Sequence, residues 1–269
     1  MKISVLVENT SRDNYCTEHG LSLYIALNRG KNILFDMGQG NLFLKNAQLL
    51  GCDIKDVDSA IISHGHYDHG GGLRYFMNLN DKANVYIQQL AFEPHYSLKE
   101  FGLKYIGLDE SLKTDFCDRL VMCGGICALS EGVTLFTCSE NIYPQPEGNS
   151  LLYGSDKKTN DDFSHEQSVL ITEGDRVVLF AGCAHCGILN IMHTAEKLSS
   201  RKITHVIAGF HLMKTNDNEQ LMTLAQCLLS HETCSYYTLH CTGTEQYEML
   251  RQYMNNRICY LSCGDTIEI

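Results

Sequence analysis

Short runs of alternating apolar and polar residues open the chain. ISVLVEN, LSLYIAL and NILFDMG each read as a strand, and with the turn Arg29-Gly30-Lys31 they form the antiparallel opening of a sheet. The period then changes in NLFLKNAQLL (residues 41–50), whose apolar positions recur at helical spacing and stop at Gly51. VDSAIISH returns to strand, three glycines at 70–72 turn the chain, and LRYFMNLN reads as another helix. Residues from about 91 to 160 mix helix at 98–100 and 110–112 with strands such as VTLFTC and the loop NIYPQPEGN. This stretch reads as an insertion or lid.

The last hundred residues are the most regular. QSVLIT and RVVLFAG form a hairpin through Glu173-Gly174-Asp175. A helix (188–198), the strand THVIAGF, a helix (218–229), the strand SYYTLH, a helix (245–254) and the strand ICYLSC follow. Strands alternating with helices of this length predict a layered α/β architecture. No linker-like stretch interrupts the chain, so a single domain over residues 1–269 is expected.

A chain of 269 residues that is 44% apolar can bury a large core. Its net charge of −11, with no basic stripe, argues against a nucleic-acid partner. A small anionic ligand stays compatible, because bound metal cations reverse the local sign. The start, MKISVLVENTS, carries one Lys and a five-residue apolar run, which is too short for a signal peptide. No apolar run approaches the ~20 residues of a membrane span. Thirteen cysteines, an odd number, fit free thiols in a reducing cytoplasm. Cys123 with Cys127 and Cys183 with Cys186 lack the repeated spacing of a structural four-cysteine zinc site.

The chemistry concentrates in HGHYDH. His64, His66, Asp68 and His69 fall within six residues at the end of an apolar strand, ahead of a glycine turn. His64 and His66, two apart on an extended segment, direct their side chains the same way. Imidazole and carboxylate donors suit a borderline divalent ion, and four of them are enough to begin two adjacent sites. A solvated His-rich turn is the bland alternative. Three further histidines follow later strands: His185 in AGCAHCG, His211 in AGFHL and His240 in LHCTG. Any one alone would more often be structural; three such placements beside HGHYDH point to one metal centre. Asp36 in LFDMGQG closes an early strand, where a carboxylate can orient a metal-bound imidazole or form an Asx turn with Gly38.

LFDMGQG, SHGHYDHGGGL, GCAH, GFHL and HCTG together resemble the metallo-β-lactamase superfamily of metal-dependent hydrolases. More narrowly, they are similar to the branch containing the archaeal 7,8-dihydropterin-6-methyl-4-(β-D-ribofuranosyl)aminobenzene-5′-phosphate synthase, a pattern that also includes EHGLSLYI (residues 18–25). The matching motifs span residues 6 to about 243. The resemblance implies a four-layer αββα sandwich, two mixed sheets flanked by helices, with a metal pair at one edge. It assigns His64, His66 and His185 to the first metal, and Asp68, His69 and His240 to the second. His211 becomes a residue for the substrate or leaving group, and an alternative alignment makes it the last ligand. Asp68 and His211 are the candidate catalytic residues.

Two positions depart from the pattern that the resemblance implies. A bridging Asp is expected where RVVLFAG ends, and Cys183 stands there. Either Cys183 binds as thiolate, or His185 takes that place from two residues further on. His165 in FSHEQS occupies the region of a third histidine ligand without the usual Gly and Pro neighbours. It is carried with Glu166 as a secondary ligand or lid residue.

The expected function is a dinuclear hydrolase that directs a metal-bound hydroxide at a small, phosphate-containing ester, such as a cyclic phosphate or a pterin-like compound. Two divalent ions are the cofactors, zinc first, with Mn and Fe accepted by the same donors. A diiron oxygen or nitric oxide reductase is the second reading; it would carry a flavodoxin-like domain and more carboxylate ligands. A non-catalytic metal sensor is the third, disfavoured by the full ligand complement.

Overall fold

The computed structural model describes residues 1–138 and 140–269. Strands in its first half are β1 (Lys2–Val7), β2 (Ser22–Ala26), β3 (Asn32–Phe35), β4 (Ser59–Ile62), β5 (Asn84–Gln88), β6 (Tyr96–Lys99), β7 (Gly102–Tyr105) and β8 (Leu120–Cys123). The second half adds β9 (Ile126–Ser130), β10 (Val133–Phe136), β11 (Leu152–Tyr153), β12 (Ser168–Glu173), β13 (Arg176–Ala181), β14 (His205–Ala208), β15 (Ser235–Thr238), β16 (Ile258–Tyr260) and β17 (Thr266–Glu268). The helices are α1 (Leu42–Leu50), α2 (Tyr67–Gly70), α3 (Leu73–Leu79), α4 (Ser111–Asp115), α5 (Ile188–Ser199), α6 (Asn218–Leu229) and α7 (Thr244–Met254).

These elements form two compact units. The first comprises Met1–Cys123, Tyr153–His165 and Ser262–Ile269; the second comprises Gly124–Leu152 and Glu166–Leu261. A seven-stranded sheet in the order β17-β1-β2-β3-β4-β5-β8 organises the first unit. The opening strands pair antiparallel, as their alternation predicts. From β3 onward the neighbours β4, β5 and β8 run parallel, so the sheet is mixed. Helix α1 packs on β1 and ends at Gly51, whose φ of 69° is the left-handed stop that a glycine adopts without strain. Leu6, Leu34, Phe43, Ile62, Phe76 and Val85 form a core with no exposed surface. Each large side chain there contributes about 1.5–3 kcal/mol.

The helix expected at 98–100 is instead strand β6, paired antiparallel with β7. Three residues cannot repay helix nucleation. Gly102, at φ 110°, and the edge-on contact of the Tyr96 and Tyr105 rings at 5.6 Å favour a hairpin.

The second unit holds another seven-stranded sheet, β16-β15-β14-β13-β12-β10-β9. Strands β9, β10, β12 and β13 pair antiparallel; the β12–β13 hairpin turns at Gly174, φ 59°. Strands β13 to β16 run parallel, joined through α5, α6 and α7, because parallel neighbours require a crossover. Of the residues between 91 and 160, β8 extends the first sheet while β9 and β10 belong to the second. Two mixed sheets with their helices are the α/β class that the motifs imply. Among the described residues, no helix is long and apolar enough to cross a membrane.

Candidate metal centre

In the first unit, β3 and β4 are parallel neighbours and end side by side, which places Asp36 next to Ser63 and His64. Asp36 is fully buried. Its Oδ1 accepts the Ser63 backbone N–H at 2.7 Å, and its Oδ2 accepts the Ser63 hydroxyl at 2.7 Å. The same Oδ2 lies 2.7 Å from His69 Nδ1. A carboxylate only accepts, so His69 carries its proton on Nδ1 and its lone pair on Nε2. The Ser63 hydroxyl has one proton and gives it to Asp36. His64 Nδ1, 2.8 Å from Ser63 Oγ, is therefore the donor, and the His64 lone pair is on Nε2. One buried carboxylate thus sets the tautomers of two imidazoles.

His64 Nε2 and His66 Nδ1 face each other at 2.9 Å, which confirms that the two-residue spacing aims both rings the same way. His69 Nε2 and Asp68 Oδ2 are 4.0 Å apart. These are two pairs of N/O donors at separations that one divalent ion can take up, with the far sides of His64 and His69 already hydrogen-bonded. The donor set fits a borderline divalent metal. Burial, then the charge of His165, holds His66 well below its ordinary value, so the ring is neutral as a ligand must be. His19, absent from the sequence-based set, places Nε2 3.3 Å from Asp68 Oδ2. Its signal was the EHG of residues 18–20: Leu21 N–H donates to the Asp68 carbonyl at 3.2 Å, and a Cβ at Gly20 would lie 2.5 Å from that oxygen.

A second group in this unit joins His165, which the sequence singled out, to Asp161 and His95, which it did not. Asp161 Oδ2 accepts from His95 Nδ1 at 2.8 Å and from His165 Nε2 at 3.3 Å, while His165 Nδ1 accepts the Gly65 backbone N–H at 2.9 Å. Burial opposes the charge on Asp161, but its hydrogen bonds from His165 and His95 outweigh that and hold the carboxyl far below its usual range. Both ring nitrogens of His165 are engaged, so this residue clamps the HGH turn from behind. A Cβ at Gly65 would meet Ala91 O at 2.2 Å and His95 Nε2 at 2.8 Å, which explains the glycine between the two histidines. His95 Nε2 is buried and has no hydrogen-bond partner among the described residues.

The second unit presents its residues at the ends of β13, β14 and β15. Cys183, His185 and His240 are buried, and His211 is partly buried. Glu166 accepts the backbone N–H groups of His185 at 2.7 Å and Cys186 at 2.9 Å. Burial raises its pKa despite those bonds. Asn149 Oδ1 lies 3.0 Å from His185 Nδ1, and its Nδ2 donates to the His185 carbonyl at 2.8 Å. Asn149, like Glu166, positions His185 rather than offering itself to a metal. His211 lies beside His185 with ring centroids 4.3 Å apart and the ring planes tilted by 55°. Asp36, Ala184, His211 and His240, all at or just beyond strand ends, have φ between 49° and 59°. Such left-handed non-glycine residues cost about 1–3 kcal/mol each and cluster where function demands them.

The model of the metallo-beta-lactamase superfamily matches residues 18–224. An uncharacterized protein of Methanocaldococcus jannaschii is 31% identical over 261 residues, 94% of this chain and 95% of its own length. From the same organism, 7,8-dihydropterin-6-methyl-4-(beta-D-ribofuranosyl)-aminobenzene-5'-phosphate synthase is 27% identical over 286 residues, covering 100% of this chain and 96% of the synthase. Among solved structures, a metal-dependent hydrolase of the beta-lactamase superfamily superposes with a TM-score of 0.84 at 26% identity, covering 100% of this chain and 99% of that one.

Proposed function

From the premise that the chain belongs to the metallo-beta-lactamase superfamily and is a metal-dependent hydrolase of it, we propose that it cleaves a small phosphate-containing ester with two divalent ions. The observation that carries this reading is the tautomer-setting Asp36 carboxylate beneath two facing donor pairs, His64 with His66 and Asp68 with His69. In the second unit, His185 and His240 are the candidate ligands of this reading. Bound divalent ions would activate water and polarise the scissile phosphoryl oxygen. Asp36 keeps the His69 proton on Nδ1 throughout, and Ser63 relays the same constraint to His64. Glu166 and Asn149 hold His185 in register. His211, beside His185, supplies a proton to the leaving group.

A phosphate-bearing substrate is supported by the full-length similarity to a synthase whose name specifies a 5'-phosphate. The net charge of −11 makes the cations the element that attracts an anion. Zinc suits the imidazole-rich donors, and the thirteen free cysteines suit a reducing cytoplasm. The test is hydrolysis of bis(p-nitrophenyl) phosphate, a thioester and a lactone by metal-loaded and chelated protein. Metal-dependent cleavage of the phosphodiester in preference to the others is expected. Inertness toward all three with two equivalents of metal bound would overturn the reading.

A further inference from the structure

Cys183 lies two residues beyond β13, at the centre of the second unit's donor atoms. Its sulfur is within 4.8 Å of a ring nitrogen of His185 and, in a separate cluster, of a ring nitrogen of His240. Among the described residues, no cluster of mutually close donors holds both imidazoles. One sulfur common to two separated imidazoles is the connectivity of a ligand shared by two ions. Donors bound to one ion at about 2.0–2.3 Å with near-tetrahedral angles lie about 3.5 Å apart, so each sulfur–imidazole pair is within reach of one metal. A purely packing role fits poorly: a buried cysteine usually sits among apolar side chains, and this one has His185, His211, His240 and Cys241 within 4.8 Å.

We propose that Cys183 binds as a thiolate to both metal ions, occupying the shared position where the motif pattern leads one to expect a carboxylate. The inference rests on the two-metal reading above. Coordination releases the thiol proton to solvent, forms two metal–sulfur bonds and moves no electrons. A thiolate is softer than a carboxylate, so this centre selects Zn²⁺ or Fe²⁺ over Mg²⁺ and Mn²⁺. Cys241 is the neighbouring sulfur and supports the site instead of bridging it. Its Sγ donates to the Cys183 carbonyl at 3.6 Å, in space that a Cβ at Gly209 would close by approaching that sulfur to 2.5 Å.

Cobalt(II) titration of the metal-stripped full chain tests this directly. A near-ultraviolet sulfur-to-cobalt charge-transfer band should grow across both equivalents, persist in Cys241→Ser and vanish in Cys183→Ser. Cys183→Asp keeps an anionic donor in place, so it should retain two cobalt ions while losing the band; it also decides the matter if the serine variant does not fold. Two cobalt ions bound without the band, a band complete after one equivalent, or a band surviving in either Cys183 variant would each overturn the bridging thiolate. The hydrolase reading would survive those results. A wild-type chain that binds no cobalt would overturn both.

Discussion

Asp36 shows how much of this centre depends on single side chains. Its Oδ2 takes both the Ser63 hydroxyl and the His69 ring proton. Asp36→Asn keeps the shape but replaces an acceptor with an amide that can turn its N–H groups toward His69. Metal affinity should fall about 10–100-fold, read by competition against a chromogenic chelator. Asp161 acts on the same HGH turn through His165, which accepts the Gly65 N–H. Asp161→Ala leaves ring N–H groups of His95 and His165 buried without their acceptor, costing about 1–3 kcal/mol for each group in urea unfolding. An unchanged midpoint would show that the clamp is not needed. The difference in legibility between these aspartates is physical. Asp36 closes an apolar strand near other rim residues, so a local pattern shows it. Asp161 meets His95 across 66 positions and has no local signature. Asn149, 36 positions from His185, was missed for the same reason.

Within each unit, secondary-structure elements explain why its candidate residues lie near one another. Parallel strands of one sheet end at a common edge, so β3 and β4 deliver Asp36 and His64, while β13, β14 and β15 deliver Cys183, His211 and His240. Hydrophobic periodicity made these strands visible, together with α1, α5, α6 and α7. It failed at β6, where the run is too short for any period to decide and the pairing with β7 sets the outcome. The turn after β4 has little tolerance. Gly65→Ala would force a Cβ to 2.2 Å from the Ala91 carbonyl oxygen, which is backbone and cannot swing aside. The variant should lose metal stoichiometry and about 1–3 kcal/mol of stability, followed by elemental analysis and chemical unfolding. Helix α6 offers a contrasting case, because its cap is not one of the candidate donors. Asp217 caps it by accepting the N–H groups of Glu219 and Gln220, so Asp217→Ala should cost about 1 kcal/mol and leave metal content unchanged. Loss of metal in that variant would show unforeseen coupling.

At the scale of the molecule, buried histidines set the response to acid. His66 and His165 have lowered pKa values, chiefly through burial. In the unfolded chain both rings protonate near pH 6.5, whereas the folded protein protonates them only at lower pH. The unfolded state thus binds more protons below about pH 6.5, and stability falls as pH drops through that range. Metal-free protein should lose midpoint urea concentration as the pH falls below about 6.5, and a flat profile would contradict the assignment. The discontinuous first unit has a further consequence for biosynthesis. Gly65 reaches its partner His165 across 100 positions, and β17 joins β1 from residues after 261. A ribosome therefore releases HGHYDH long before the residues that brace it exist, and β1 waits with an open edge until β17 is made. During that interval the nascent chain displays a histidine cluster able to capture ions without the framework that selects among them. The order of translation would then make selective metal loading a late event, and a fragment ending at residue 123 a poor substitute for the 269-residue chain.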